Sequence, residues 1–538
     1  MGHVTMKREM LTTDFIDRAA DIYDDVTGVV AHDGTDYTYA EVNERVNQLA
    51  HALSERGVTD GSRVAILAPN THYFIETLYA ANKLGAVFVP LNYRLDPAKI
   101  EYILNDCAAS TVIADYDFAE KVQPVRDDVP VETFIGYEAD RIDGEWEDYS
   151  GLLDGHPTAE PDRPDISEDD DASINYTSGT TGDPKGVVRT HRTESWHALV
   201  LNQHMEVRDD DTYLWTLPMF HCNGWGHTYA ITGTGGTHVC QRTFDAADTF
   251  RRVREYDVSF MCGAPTVLNK LIQHYRANDG EIETQGDRDV RIATAGSAPA
   301  TATIERVEDE FGWRIIHIYG LTETAPIITT SNSPRRIAER GREIKVKQGS
   351  EALCTDIRIV DEDGTDVPRD GTTIGEVVVQ GNQVMDRYLN KPEITEEAFS
   401  DRVEGYFHTG DLATWDEDGM IQIMDRRKDI IISGGENISS IELEDELYDH
   451  PDVLKAAVIP APSEDWGETP MALVVPTADS DPTEREILDF LRDRVASYKV
   501  PAGVDFRDSL PETATGKIQK YELREEYWNE QERMIGQE

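Results

Sequence analysis

Apolar and polar positions repeat with two different periods along the first third of the chain. Two short runs, GVVAHDG then TDYTY, turn at Asp33-Gly34, which predicts a strand pair closed by a tight turn. From Tyr39 the period lengthens, and Val42, Val46, Leu49, Ala50 and Leu53 fall on one helical face. Thr38 and Glu41 have capping-box spacing at its start, and Gly57 is its expected stop. RVAILA, FIETLYAANKL and AVFVPL then read as strand, helix and strand, and the alternation returns around 191–330. That order predicts right-handed crossovers and a mostly parallel sheet with helices on its faces.

From about 351 the pattern becomes strand-rich, with LCTDIRIV, a DEDG turn and GEVVVQG. Beyond Lys428 a separate alternation predicts a small α+β unit with helices near 441–448 and 484–498. The expected fold class is α/β: a large N-terminal domain of mostly parallel sheets with packed helices, a strand-rich subdomain over about 345–425, and a small mobile C-terminal domain. The boundary is placed between 427 and 428. The polar, acidic stretch 157–171 is expected to cross the surface.

Length supports the division, since 538 residues exceed the ~250–300 that one core serves. At 39% hydrophobic the chain can fill several cores. No apolar run approaches the ~18–20 residues of a membrane helix, and MGHVTMKREM lacks an apolar signal core. Met6 breaks the myristoylation pattern. A cytoplasmic location without membrane insertion is therefore expected.

Charge changes the picture most. Against 51 Lys and Arg stand 103 Asp and Glu, a net charge of −52 spread along the chain. Such a field opposes binding to nucleic acid or anionic membrane. It also exceeds what solubility needs, which points to a salt-filled cytoplasm where repulsion is screened. The five cysteines form no C-x-x-C pair, in keeping with a reducing compartment. Cys222 and Cys240 lie near His221, His227 and His238, but in no common zinc spacing.

The strongest local signal is the run YTSGTTGDPKG from Tyr176 to Gly186. Its glycines let backbone N–H groups approach phosphate oxygens, while hydroxyls and Lys185 add donors and charge. It has no Walker register. At this point the chain resembles the AMP-forming acyl and aryl acid ligases: acyl-CoA synthetases, luciferases and peptide-synthetase adenylation domains. Further motifs follow in that family's order: GSAP from Gly296, YGLTET from Tyr319, YFHTGD to Asp411, DRRK to Lys428, SGGEN from Ser433 and PETATGK to Lys517.

The resemblance implies residue roles. Thr177, Ser178, Gly179, Thr180, Thr181, Gly182 and Lys185 would hold the phosphates of ATP. Gly296, Ser297, Ala298, Tyr319 and Gly320 would line adenine, and Thr322 with Glu323 would hold Mg²⁺. Asp411, a two-oxygen acceptor, would take both ribose hydroxyls beside Arg426. Lys517 would bridge carboxylate and α-phosphate as the adenylate forms. His221 and Trp225, with Gly296 and Gly320, would wall the acid pocket. Ser433, Gly434, Gly435 and Glu436 would meet coenzyme A, and Lys428 would be the hinge.

Where amino-acid-activating relatives place Asp, this chain has His221, which disfavours a free amino acid. MFHCNGW and SGGENISSIE look most like short- and medium-chain acid–CoA ligases, including plant acyl-activating and methylmercaptopropionate–CoA ligases. Asn437 stands where acetyl-CoA synthetases carry arginine, which argues against acetate specialism and leaves the CoA contact there open. The expected reaction is ATP-dependent conversion of a carboxylic acid to acyl-CoA. An aryl acid or 3-methylmercaptopropionate is the alternative substrate, and a catalytically silent ATP-binding regulator is the alternative class. Assembly, as monomer or homodimer, is left open.

Overall fold

The structure is a computed structural model that describes residues 8–177, 184–296, 298–299, 301–399, 401–433, 436–463, 466–477, 480–492, 494–512 and 518–528. Two large sheets dominate it. The first has eight strands; Val87–Pro90, Arg63–Leu67, Thr111–Asp115, Thr133–Tyr137 and Glu147–Asp148 continue in parallel from Asp171–Thr177. On its other side Asp171–Thr177 pairs antiparallel with Lys185–Thr190. The second sheet has nine strands, with a parallel centre that includes Thr212–Trp215, Phe260–Cys262, Arg291–Thr294 and Arg314–Gly320.

The expected strand pair forms as Thr27–Val30 and Asp36–Thr38, but it joins the second sheet beside Thr237–Cys240. The helix Tyr39–Glu55 has its capping box: Thr38 N donates to Glu41 Oε2 at 2.8 Å and Glu41 N to Thr38 Oγ1 at 3.3 Å. All five apolar positions of its predicted face are buried.

One hydrophobic core lies between the two sheets and draws residues from both, among them Val64, Val112, Tyr213 and Ile316. The helix His72–Lys83 is buried on every side there. Its charged groups are paired, as burial requires: Glu76 accepts from Arg45 at 2.6 Å and from Tyr149 at 2.6 Å, and Lys83 donates to Asn43, Asn47 and Glu160. Those bonds also pin the acidic crossing 157–171, through Glu160 and through Arg163 on Asp17.

An antiparallel sheet of Thr355–Val360, Gly375–Gly381, Phe407–Trp415 and Ile421–Arg426 forms the strand-rich part. Downstream, a five-stranded, mainly antiparallel sheet carries the helices Ser440–Tyr448, Glu484–Arg492 and Lys520–Tyr527. The helix expected over 484–498 is shorter, ending at Arg492. Its buried apolar positions, Ile487, Leu488 and Leu491, run out there; among the described residues from there to 498, Val495 packs on that core. No helix among the described residues is long and apolar enough to cross a membrane.

Candidate active site

The motif residues gather where strands of the two sheets end, the position at which α/β sheets bind ligands. Thr177 closes one strand and Lys185 opens the next, and the two residues lie opposite each other in an antiparallel pair, so the described ends of the phosphate motif sit side by side. Gly296 and Ala298 follow the strand Arg291–Thr294, and Tyr319 and Gly320 end Arg314–Gly320. Gly320 tolerates no side chain: a Cβ there would sit 1.6 Å from the Pro326 carbonyl oxygen. Ser178, Gly179, Thr180, Thr181, Gly182, Ser297, Gly434, Gly435 and Lys517 lie outside the described residues.

Two clusters form among the rest. In the first, the Tyr319 hydroxyl donates to Asp411 Oδ2 at 2.8 Å, and Arg426 Nε lies 3.4 Å from Asp411 Oδ1. Asp411 and Arg426 are opposite each other on paired strands, so sheet register alone brings them together. Burial and the Asp411 carboxylate hold the Tyr319 phenol protonated, far above the usual range. In the second, Tyr388 donates to Glu323 Oε1 at 2.7 Å, and Lys185 Nζ lies 5.1 Å from the Tyr388 ring centroid. The Met385 N–H donates to the Glu323 carbonyl at 2.7 Å and fixes the turn that presents Thr322 and Glu323. Tyr388 was not visible as a site residue, since MDRYLN matches no chemical motif.

His221 and Trp225 flank a tight turn beside these clusters. Between them, Cys222 Sγ lies 3.2 Å from Thr322 Oγ1 and so connects that turn to the Thr322–Glu323 loop. Burial pushes the Cys222 thiol up to about 11, which makes it a donor rather than a nucleophile. Burial first, then the charges of Arg189 and Arg94, push His221 down to about 4, so its imidazole is neutral at physiological pH. Among the described residues, no three His, Cys, Asp or Glu side chains converge to hold a metal ion. Oxygen donors are nonetheless present at Thr322 and Glu323, the type that Mg²⁺ takes together with phosphate oxygens and water.

Lys428 closes the DRRK run in a compact bend, where Asp429 N and Ile430 N both donate to Arg426 O. Partial desolvation and then the nearby Lys185 charge lower its pKa, so the expected hinge lies close to the phosphate hairpin. Asp425, just upstream, accepts from Ser440 N at 2.8 Å and Ser440 Oγ at 2.6 Å; Lys520 donates to Ser440 Oγ at 2.5 Å. Ser433 and Glu436 are opposed on the paired strands Ile431–Ser433 and Glu436–Ile438.

A family model described as AMP-binding enzyme matches residues 16–389, and one described as AMP-binding enzyme C-terminal domain matches 442–517. The chain belongs to the AMP-binding enzyme family. It is 38% identical over 533 residues to 2-methylpropanoate–CoA ligase CCL4 of Humulus lupulus, across 95% of this chain and 94% of that one. It is 34% identical over 537 residues to the peroxisomal trans-cinnamate:CoA ligase of Petunia hybrida, across 95% and 93%. Its structure resembles ATP-bound MatB from Rhodopseudomonas palustris with a TM-score of 0.84 at 28% identity, covering 96% of this chain and 99% of that one. For this member of the family, Asp411, Arg426 and Lys428 fall in the stretch between the two matched regions.

Proposed function

We propose that the chain is a carboxylic acid–CoA ligase acting on a short- or medium-chain acid. The observation that carries this reading is the pair of clusters, Tyr319 with Asp411 and Arg426, and Tyr388 with Glu323 and Lys185, which share the short stretch from Tyr319 to Glu323, in a chain similar over nearly its whole length to named acid–CoA ligases. In the proposed reaction a carboxylate oxygen attacks the α-phosphorus of ATP and pyrophosphate leaves. The thiolate of coenzyme A then attacks the acyl carbon, and AMP leaves with the oxygen that came from the acid.

In this account Asp411 accepts the ribose hydroxyls, with Arg426 beside it and Tyr319 orienting its carboxylate. Lys185 and the motif residues from Thr177 to Gly182 hold the phosphates, and Lys517 stabilises charge at phosphorus while the adenylate forms. Thr322 and Glu323 would hold Mg²⁺, which neutralises triphosphate charge when bound. Neutral His221 and Trp225 wall the acid, and Ser433 to Glu436 contact coenzyme A. The division at 427/428 suits the chemistry: a moving small domain can exclude water from the mixed anhydride and then present a different face.

A salt-adapted, cytoplasmic enzyme is proposed on composition alone. The substrate range proposed includes 2-methylpropanoate-like branched acids, with cinnamate-type acids and 3-methylmercaptopropionate as alternatives. The test is a panel from acetate to decanoate, with 2-methylpropanoate, cinnamate and benzoate, assayed in high KCl. Pyrophosphate release that needs the acid, and AMP release that needs coenzyme A, are expected. ATP binding without acid-dependent turnover would instead support the regulatory reading.

A further inference from the structure

The turn between His221 and Trp225 is left-handed. Cys222, Asn223, Gly224, Trp225 and Gly226 all have positive φ, from 51° to 75°. Trp225 N donates to His221 O and Gly226 N to Cys222 O, each at 3.2 Å, so the segment closes one turn of helix of the disfavoured hand. Three of its five residues are not glycine and are strained there, because their Cβ crowds the following carbonyl. Such strain persists only where the surroundings over-determine it, and it clusters at functional sites. Gly224 is forced by space as well: a Cβ would lie 2.2 Å from the Trp215 ring.

What over-determines the turn is a buried polar network. Asn223, fully buried, donates from Nδ2 to Glu194 Oε1 at 2.7 Å and to Ser173 Oγ at 3.1 Å, and its Oδ1 accepts from Asn175 at 3.2 Å. Ser173 also donates to Glu194 at 2.6 Å. Arg189 neutralises Glu194 at 3.2 Å and donates to Asn175. Arg189 and Glu194 are both 0% exposed. Ser173 and Asn175 lie on Asp171–Thr177 and Arg189 on Lys185–Thr190, the two strands that carry the phosphate turn; Glu194 opens the next helix. Asn223 is thus the rivet between the phosphate hairpin of one sheet and a loop that leaves the other.

We infer that Asn223, held by Glu194 and Ser173, is a specificity-determining positioning residue: it fixes the left-handed turn and thereby the distance of the Trp225 and His221 wall from the acid. The inference deepens the ligase reading and rests on it. Asn223 touches no reacting atom. It sets how many carbons fit, and it does so without changing the ATP contacts at Asp411, Arg426 and Glu323. Arg189, by its charge, also helps keep the neighbouring His221 imidazole neutral, so the wall presents an uncharged face to an alkyl chain.

The test measures kcat/KM for a homologous series of acids in the wild type, Asn223→Ala and Asn223→Gly, with the KM for ATP and the melting temperature of each. Glycine favours positive φ, so Asn223→Gly keeps the backbone preference and removes only the side-chain rivet. Both variants are expected to flatten the profile: the ratio between the best acid and one two methylenes longer falls at least about tenfold, the scale on which a pocket reads one methylene. KM for ATP should stay within about twofold, because the ladder between Asp171–Thr177 and Lys185–Thr190 holds Lys185 in place without the Asn223 side chain. An unchanged acid profile in folded Asn223→Gly overturns the inference. If neither variant folds, Ser173→Ala, which removes one acceptor of Asn223, takes their place; a shift of about threefold or more is expected, and an unchanged ratio overturns the inference. A wild type with no acid-dependent turnover sinks the ligase reading itself, whereas an active wild type whose variants keep its profile sinks this inference alone.

Discussion

Replacing Asp411 separates its two jobs, structural and ligand-binding. In the free protein its carboxylate accepts from Tyr319 at 2.8 Å and faces Arg426 at 3.4 Å, with the Asp411 side chain 9% exposed. Asp411→Ala leaves the Tyr319 hydroxyl without its acceptor, which costs about 1–3 kcal/mol of stability. Losing the Arg426 pair adds about 0–1 kcal/mol, since the Arg426 side chain is 36% exposed and water replaces the partner. In the proposed complex the variant also loses two ribose bonds to a charged acceptor, together about 3–4 kcal/mol, or roughly 10²–10³ in kcat/KM for ATP. Tyr319→Phe breaks only the first bond. It should lower the melting temperature while reducing kcat/KM for ATP by less than about tenfold, because the carboxylate remains. Acid-dependent pyrophosphate release at varied ATP, with calorimetry on the same samples, reads both effects. The double variant should show a coupling of about 0.5–3 kcal/mol in stability. A folded Asp411→Ala enzyme with wild-type kcat/KM for ATP would refute the ribose assignment. Equal kinetic losses in the two single variants would refute the separation of roles.

Acid should unfold the protein early. Burial holds His72, His191, His227 and His317 near 4 and His238 near 3, against an ordinary 6.5. The unfolded chain therefore binds more protons between these values, and stability present above pH 6.5 is lost as pH falls towards 4, by up to about 3 kcal/mol per histidine. A melting temperature unchanged from pH 7 to 5 would contradict this. Lowering KCl from molar to about 0.1 M should reduce both melting temperature and activity, because screening of the net −52 charge is withdrawn; equal stability and activity at both would end the salt-adapted reading. Lys428→Pro should slow one half-reaction far more than the other by fixing φ at the proposed hinge. Equal slowing of both would mean general damage.

Much of the scaffold was legible because it depends on local chemistry. The helix from Tyr39 to Glu55 follows from its capping box and apolar stripe, and Gly57, with φ of +85°, stands where the stop was expected. The pairing of Asp411 with Arg426 was foreshadowed by motif, and strand register supplies the contact. Contacts made across long sequence separations were not legible. The strand pair near Val30 finds its neighbour beyond residue 236 in the chain. Lys83, near the end of the run read as a helix, is fully buried because Asn43, Asn47 and Glu160 arrive from elsewhere. The five residues of positive φ from Cys222 to Gly226 depend on Glu194, Ser173 and Trp215, which no local pattern connects to them.

The central claim is that the acid is activated as a mixed anhydride with AMP before coenzyme A enters. The most direct measurement follows the carboxylate oxygen: the enzyme turns over a substrate acid labelled with oxygen-18, ATP and coenzyme A, and the AMP is analysed by mass spectrometry. The account predicts that each AMP formed carries one labelled oxygen, because the acid's oxygen bridges to phosphorus and leaves with AMP when sulfur attacks the acyl carbon. AMP formed during acyl-CoA synthesis with no label would contradict it.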